Sequence, residues 1–346
     1  AQLQSAGMET AKLDEIVRQS NAAPKDAVLA TIKGDARKAI AALERGGGRI
    51  MESPDRADRF VAIAKQYTQL NGAARARTLV IEPSREGREA LTADIRAELA
   101  KTGALTGPAA TMQSLVSKGL SSAEARDPLS YERGDVVRFA RDYADKGVSR
   151  GETYRVAGVD PAKSAVALKA DDGRDIDWRL RQWGAGKVEV FTAQPLELKV
   201  GDRIQFTRND RELGRINGGR ANVTAIDEQA RSATIRGPSG PTQTLDLDAT
   251  RDQHIRHAYV ETAFAAQGRT ADHVIIHADS RATNLVDQKS FYVSVSRARE
   301  SVAIYTNDRA KLVTAINERA GLAQTAVGEA AMAAPAAGKS LGAGLG

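Results

Sequence analysis

The chain has 346 residues, enough for about two or three domains with a sizeable core. Lys and Arg number 50 against 44 Asp and Glu, and the resulting +6 permits a polyanionic partner without demanding one. The absence of cysteine excludes disulfides and thiolate metal sites, and aromatics at 4% argue against an extended base-stacking platform.

The chain opens on Ala1 in a run that reads as mid-protein, so a fragment is expected. Leu13–Gln19 reads as an amphipathic helix end, with Leu13, Ile16 and Val17 inward and Arg18 near the last turn. Gly46-Gly47-Gly48 is a turn before a short strand at Arg49-Ile50-Met51. Thr78–Glu82 reads as a buried parallel strand. Pro83 stops it, Ser84 caps a helix, and Leu91, Ile95 and Leu99 keep helical spacing. Free N–H groups at that helix start suit a phosphate, with Arg85 and Arg88 adding charge; a solvated helix face is the plainer reading.

From residue 130 to 250 the composition shifts to Val, Ile, Thr, Gly and Asp. Tyr131–Phe139 and Leu198–Phe206 are similar passages, each with Gly-Asp at a turn and a strand ending in Phe. Short strands follow each, which predicts two small β-barrels in tandem, or one larger sheet. In the second, Asn209 and Asn217 mark turns, and Asn217-Gly218 is first a hairpin signal. His254, His257, His273 and His277 crowd one stretch, but no carboxylate spacing completes a metal set, so no metal site is expected.

Ala258–Thr270 leads into a strand at His273–His277. Farther on, Arg297 and Arg299 sit between the apolar segments Phe291–Val295 and Val302–Tyr305. A strand would put both on one face; a helix would splay them about 200° apart. Either they are solvated turn residues, or they form a fixed charge of the kind used as an arginine finger in phosphoryl transfer. Residues 321–346 are an Ala/Gly-rich tail expected to be disordered, and its Gly338-Lys339-Ser340 imitates a P-loop without the preceding glycine. No Gly-x-x-x-x-Gly-Lys-Ser/Thr and no apolar strand ending in Asp-Glu occurs.

Ala258–Thr270 with the strand after it, and Ser296-Arg297-Ala298, resemble motifs V and VI of superfamily 1 helicases, in order and spacing. The chain up to about residue 320 resembles the C-terminal part of a superfamily 1B, RecD-like DNA helicase, most like the conjugative relaxase–helicase (TrwC/TraI) family. That resemblance implies a RecA-like (P-loop NTPase type) α/β second motor domain with inserted SH3-like β-barrels, the N-terminal motor domain being absent. The implied boundaries are 1–128 and 251–320 for domain 2A, and 129–195 and 196–250 for the barrels.

The resemblance also implies site roles. Arg18, at motif IV, and Arg297 would be catalytic, reaching ATP across a domain cleft. Gln267, Gly268 and Thr270 would couple nucleotide to DNA, and Thr262, Ser84, Arg88, Asn209 and Asn217 would contact single-stranded DNA. Two departures stand out: Phe264-Ala265-Ala266 replaces a frequent His-Lys-Ser, and Thr270 replaces a frequent acid. ATP and Mg²⁺ are implied cofactors of the whole protein, with the Mg²⁺ ligands outside this chain. Implied partners are single-stranded DNA, the N-terminal motor domain, a relaxase domain and the conjugative secretion machinery, in the bacterial cytoplasm with no membrane insertion. The implied activity is ATP-dependent 5′-to-3′ unwinding of plasmid DNA for transfer, with the isolated chain inactive. The alternative is a catalytically inactive module that binds single-stranded DNA.

Overall fold

The computed structural model describes residues 21–183, 188–238 and 240–319. The Leu13–Gln19 helix end with Arg18, and the tail from 321, lie outside the described residues. Contacts divide the chain into two units, one reaching Ile95 and resuming at Val260, the other running Arg96–Tyr259.

In chain order the first unit opens with α1 (Ala22–Ile32) and α2 (Ala36–Arg45), capped by Asn21 on Ala23 N and by Asp35 on Lys38 N. Strand β1 (Arg49–Glu52), α3 (Arg56–Gln69), α4 (Gly72–Ala76), β2 (Thr78–Ile81) and α5 (Arg85–Lys101) follow. The second unit supplies β3 (Thr106–Ser117), β4 (Val136–Phe139), β5 (Thr153–Asp160), β6 (Ala165–Ala170), β7 (Asp175–Arg179) and β8 (Val188–Val200). It continues with β9 (Arg203–Phe206), β10 (Arg220–Asp227), β11 (Ser232–Arg236), β12 (Thr242–Asp246) and β13 (Ile255–His257). The chain then returns to the first unit with β14 (Val260–Glu261), β15 (Ala271–His277), α6 (Gln288–Val295), β16 (Ala298–Thr306) and α7 (Arg309–Glu318).

The first unit is a five-stranded parallel sheet in the order β1-β16-β15-β2-β14. Early and late strands interleave, so the sheet closes only when both parts of the chain are present. Both faces are covered, which is why β2 is buried at every position and reads as an unbroken apolar run. Leu79, Ile81, Val274, Ile276, Val302 and Ile304 pack on one face with residues of α1, α2, α6 and α7. On the other face Tyr305 Oη donates to Gln66 Oε1 of α3 at 2.7 Å.

The second unit holds two sheets, β3-β8-β4-β5-β6-β7 and β12-β11-β10-β9-β13. Strands β3 and β8 pair antiparallel as one long ribbon, from Thr106↔Val200 to Ser117↔Phe191. Ala110, Met112 and Leu198 at one end of it join the core of the second sheet. Leu115 and Phe191 at the other end pack with Val136 of the first sheet. Residues 106–117, grouped by sequence with the first α/β stretch, thus belong with the strands of the second unit. Ile255–His257, grouped with the last stretch, pairs with β9.

The likeness of the two Gly-Asp passages runs through both sheets at constant spacing. Gly134 N donates to Val156 O at 2.8 Å, and Gly201 N to Val223 O at 2.9 Å. Asp135 and Asp202 each close their own turn, accepting from Glu132 N at 2.9 Å and from Lys199 N at 2.7 Å. Both copies bulge at the same place, Val156/Gly158 and Val223/Ala225. Each hairpin beyond carries a non-glycine residue at positive φ, Ser164 at 47° and Arg231 at 48°. The cores differ. The first is aromatic, with Trp178 edge-on to Phe139 at 5.0 Å and to Tyr131 at 5.4 Å. The second is aliphatic around Ile204, Val223, Ile235 and Leu245.

Candidate functional site

Arg297 lies at the junction of α6 and β16. Asp287 and Ser290 form a capping box at the start of α6, and Ser296 ends the helix. The structure therefore places the two arginines in neither a shared helix nor a shared strand. Arg299 is exposed on β16, 3.9 Å from Asp272. Arg297 is only 6% exposed. Its Nε donates to Val293 O at 3.0 Å, its Nη1 to Arg269 O at 3.2 Å and its Nη2 to Ser296 Oγ at 2.9 Å. Its carbonyl accepts from Ala271 N at 2.9 Å, which fixes the start of β15.

Arg269 belongs to the turn between β14 and β15. Thr262 organises that turn: its hydroxyl accepts from Ala265 N and its carbonyl from Ala266 N, both at 3.0 Å. Ala266 is fully buried, which anchors the turn to the core. Gly268 sits at φ +85°, and Gln267, Gly268 and Thr270 face solvent. Arg269 Nη1 returns to Glu261 Oε1 at 2.6 Å. The two segments that resemble motifs V and VI are thus joined by hydrogen bonds, with Arg297 bonded to the carbonyl two residues after Gln267.

The carboxyl ends of β2 and β15 carry a buried charged network that sequence reading missed. Ser84 does cap α5, accepting from Gly87 N at 2.9 Å. But Glu82 accepts from Ser84 Oγ at 2.6 Å and from Ser84 N at 3.0 Å. At the helix start expected to offer N–H groups to a phosphate, Ser84 thus takes the Gly87 N–H, and Glu82 holds Ser84 itself. Gly87 makes room for it: a Cβ there would stand 2.3 Å from Glu82 Oε1 and 2.5 Å from Ser84 Oγ.

The other Glu82 oxygen meets His277 Nδ1. Arg59 Nε donates to His277 Nε2 at 3.0 Å, so that nitrogen accepts and the imidazole proton sits on Nδ1, facing Glu82. Arg59 continues to Asp279 at 2.6 Å and to Ser53 O at 2.6 Å. Burial raises the Glu82 pKa, but hydrogen bonds from His277 and Ser84 outweigh it and hold the carboxyl below its usual range. The signal in the sequence was that Glu82 and His277 each end an apolar parallel strand; Arg59 gave none. Arg88, on the first turns of α5, is half-buried; its Nε–H has no acceptor among the described residues.

In the second unit, Asn209 and Asn217 bond to each other, Asn217 N donating to Asn209 Oδ1 at 2.7 Å. The first copy has the same bond, Arg150 N to Asp142 Oδ1 at 2.7 Å, so the pair is first a loop lock. Both asparagines are exposed, and Asn209 borders a cavity of about 650 Å³ shared with Arg138, Arg174, Arg208, Arg251 and His254. Most of its charges are already paired, Arg174 with Asp172 and Arg251 with Asp210, each at 2.6 Å. Burial, with Arg208 and Arg138 nearby, pushes His254 down to about 4. Among the described residues no His/Cys/Asp/Glu group could hold a metal ion, and no helix is long and apolar enough to cross a membrane.

Residues 200–306 match the family model for the viral superfamily 1 RNA helicase core domain. The multifunctional conjugation protein TraI of Escherichia coli K12 is 26% identical over 319 residues, covering 90% of this chain and 17% of TraI. A second Escherichia coli TraI is 25% identical over 316 residues, with the same coverage. This chain thus spans 17% of the curated relatives it matches. Among solved structures, Bacteroides Pif1 helicase in complex with ADP-AlF3 and ssDNA is 14% identical, covering 87% of this chain and 53% of that one, with a TM-score of 0.29. The chain is similar to superfamily 1 helicases of the relaxase–helicase kind, and the α/β fold stands on its own parallel sheet.

Proposed function

We propose, from that kinship, that this chain is the second motor domain of an ATP-dependent DNA helicase, working in a conjugative relaxase that unwinds plasmid DNA 5′ to 3′. A first motor domain in the same polypeptide would supply the P-loop and the Mg²⁺ ligands. ATP would lie between the two domains. Single-stranded DNA, a relaxase domain and the secretion machinery complete the expected partners.

One observation carries the reading: the Arg297 guanidinium is bonded to the Arg269 carbonyl of the turn that bears Gln267 and Gly268. In the present state its acceptors at Val293, Arg269 and Ser296 are uncharged. A γ-phosphate is a stronger acceptor, because it is anionic and attracts the guanidinium charge as well as accepting its hydrogen bonds, whereas the carbonyls and the hydroxyl offer only dipoles. Arrival of ATP would draw the guanidinium off the Arg269 carbonyl and free the turn to move. Thr262, which organises the turn, would pass that movement to a bound strand. Phosphate loss would restore the carbonyl bonds. The fixed charge would also stabilise the transition state, the role worth about 10³-fold or more for an arginine finger.

The test uses the protein with its P-loop domain attached. Arg297→Ala lowers ATP turnover by about 10³-fold and leaves single-strand affinity within about twofold of wild type. Turnover at the wild-type rate would overturn the assignment. The 346-residue chain alone is expected not to hydrolyse ATP.

A further inference from the structure

Phe264, in the turn after β14, is 68% exposed. Isolated exposed apolar side chains are common and need no explanation by themselves. This one has a particular setting. Its neighbours in the turn are tied down: Ala266 is in the core, Ala263 packs against it, and Gln267 N donates to Phe264 O at 3.0 Å. The ring itself makes no ring–ring or cation–π contact with any described residue. A fixed turn therefore holds an aromatic face in solvent.

The turn follows the carboxyl end of β14, directly beside the carboxyl end of β2. Glu261 lies opposite Ile81, and Glu82 N donates to Glu261 O at 2.9 Å. The segment leaving β2 starts α5, with Arg85 and Arg88 in its first turns. Arg88 is close enough to Glu261 and Glu82 to feel both charges, and its buried Nε–H has no acceptor among the described residues. Two adjacent loops thus bring together an aromatic ring, a threonine hydroxyl and a half-buried guanidinium. They do so at the carboxyl edge of a parallel sheet, where open α/β sheets bind ligands.

We propose that Phe264 is a stacking platform for one unpaired base of single-stranded DNA, the adjoining phosphate lying towards Arg88 and Thr262. The site rests on the single-strand reading above and adds the base to it. Stacking suits a translocating motor because every base has a π-face, so the contact grips without reading sequence. It is one platform, in keeping with the low aromatic content, whose remainder is largely buried in the cores.

The experiment measures binding of the 346-residue chain to labelled oligo-dT and to an abasic oligomer of equal length at fixed salt. Phe264→Ala lowers oligo-dT affinity about tenfold and leaves abasic affinity unchanged. Phe264→Trp retains affinity, and its added indole emission is quenched by oligo-dT but not by ATP or ADP. The exposed position makes both substitutions compatible with the fold. Unchanged oligo-dT binding by Phe264→Ala overturns the proposal while leaving the single-strand reading in place. Quenching by nucleotide alone replaces the DNA base with adenine and overturns it too. A wild-type chain that binds neither oligomer removes the single-strand reading and the stacking site with it.

Discussion

Lowering the pH should unfold the second unit early, because burial pushes both His254 and His257 down to about 4, and His254 can be tested by itself. Burial first, then Arg208 and Arg138, push its imidazole from 6.5 down to about 4, against a weaker pull from Glu189 and Asp210. Arg208 Nη1 lies 3.3 Å from His254 Nε2 and can only donate, so the folded ring is the neutral tautomer with its proton on Nδ1. In the unfolded chain the same ring takes up a proton below about pH 6.5. Between pH ~6.5 and ~4 the unfolded state therefore binds more protons, and stability falls as the pH falls. Below ~4 both states are protonated and this contribution stops changing. The full displacement corresponds to about 3 kcal/mol. With the residue only 5% exposed, most of it should be realised, so about 2 kcal/mol is lost by pH 4.5.

Urea unfolding reports this directly. The chain has two tryptophans, Trp178 and Trp183, both buried in the first sheet of that unit. His254 touches the ribbon both sheets share, edge-on to Phe191 at 5.1 Å. His254→Gln keeps an acceptor for Arg208 and does not titrate. Wild type should lose about 2 kcal/mol more than the variant between pH 7 and 4.5. Parallel pH profiles for the two proteins would refute the reasoning.

Two further outcomes follow from packing. Arg59→Met should cost about 3 kcal/mol in chemical unfolding, because it leaves His277 Nε2 and the Ser53 and Pro54 carbonyls without their donor, while Asp279 keeps Arg281 at 2.6 Å; a loss below ~1 kcal/mol would mean the network relaxes into water. Gly151 and Gly218 sit at φ 88° and 86° in equivalent loops, so Gly→Ala at either should cost a similar ~1 kcal/mol or more. Clearly unequal losses would show that the two loops carry different strain.

The β2–α5 unit was legible because each signal was local: an apolar run, a proline stop, and a serine whose hydroxyl caps the third N–H beyond it. The Gly-Asp turns were legible for the same reason, since Asp135 and Asp202 accept from residues three positions back. The ribbon strand β3 was not. Thr106-Gly107-Pro108-Ala109 breaks any alternation, and its partner Val188–Val200 lies far along the chain. Arg59 was equally hidden. On a helix an arginine reads as solvent-facing, and only the return of β15 brings His277 and Asp279 to it. The separate fates of Arg297 and Arg299 were hidden because the helix ends just before both, at Ser296, and the strand starts between them, at Ala298, at a boundary that neither periodicity marks.

The paired sheets of the second unit pose a folding hazard of their own making. Two neighbouring segments with the same turns, bulges and hairpins invite a strand of one to seat in the other, the characteristic failure of tandem repeats. The divergent cores guard against it. Trp178 and Leu245 occupy equivalent buried positions, as do Tyr154 and Ala221. An exchanged strand would force an indole into a space cut for leucine, or leave a void where a phenol belongs. The backbone is repeated, and side-chain volume tells the copies apart.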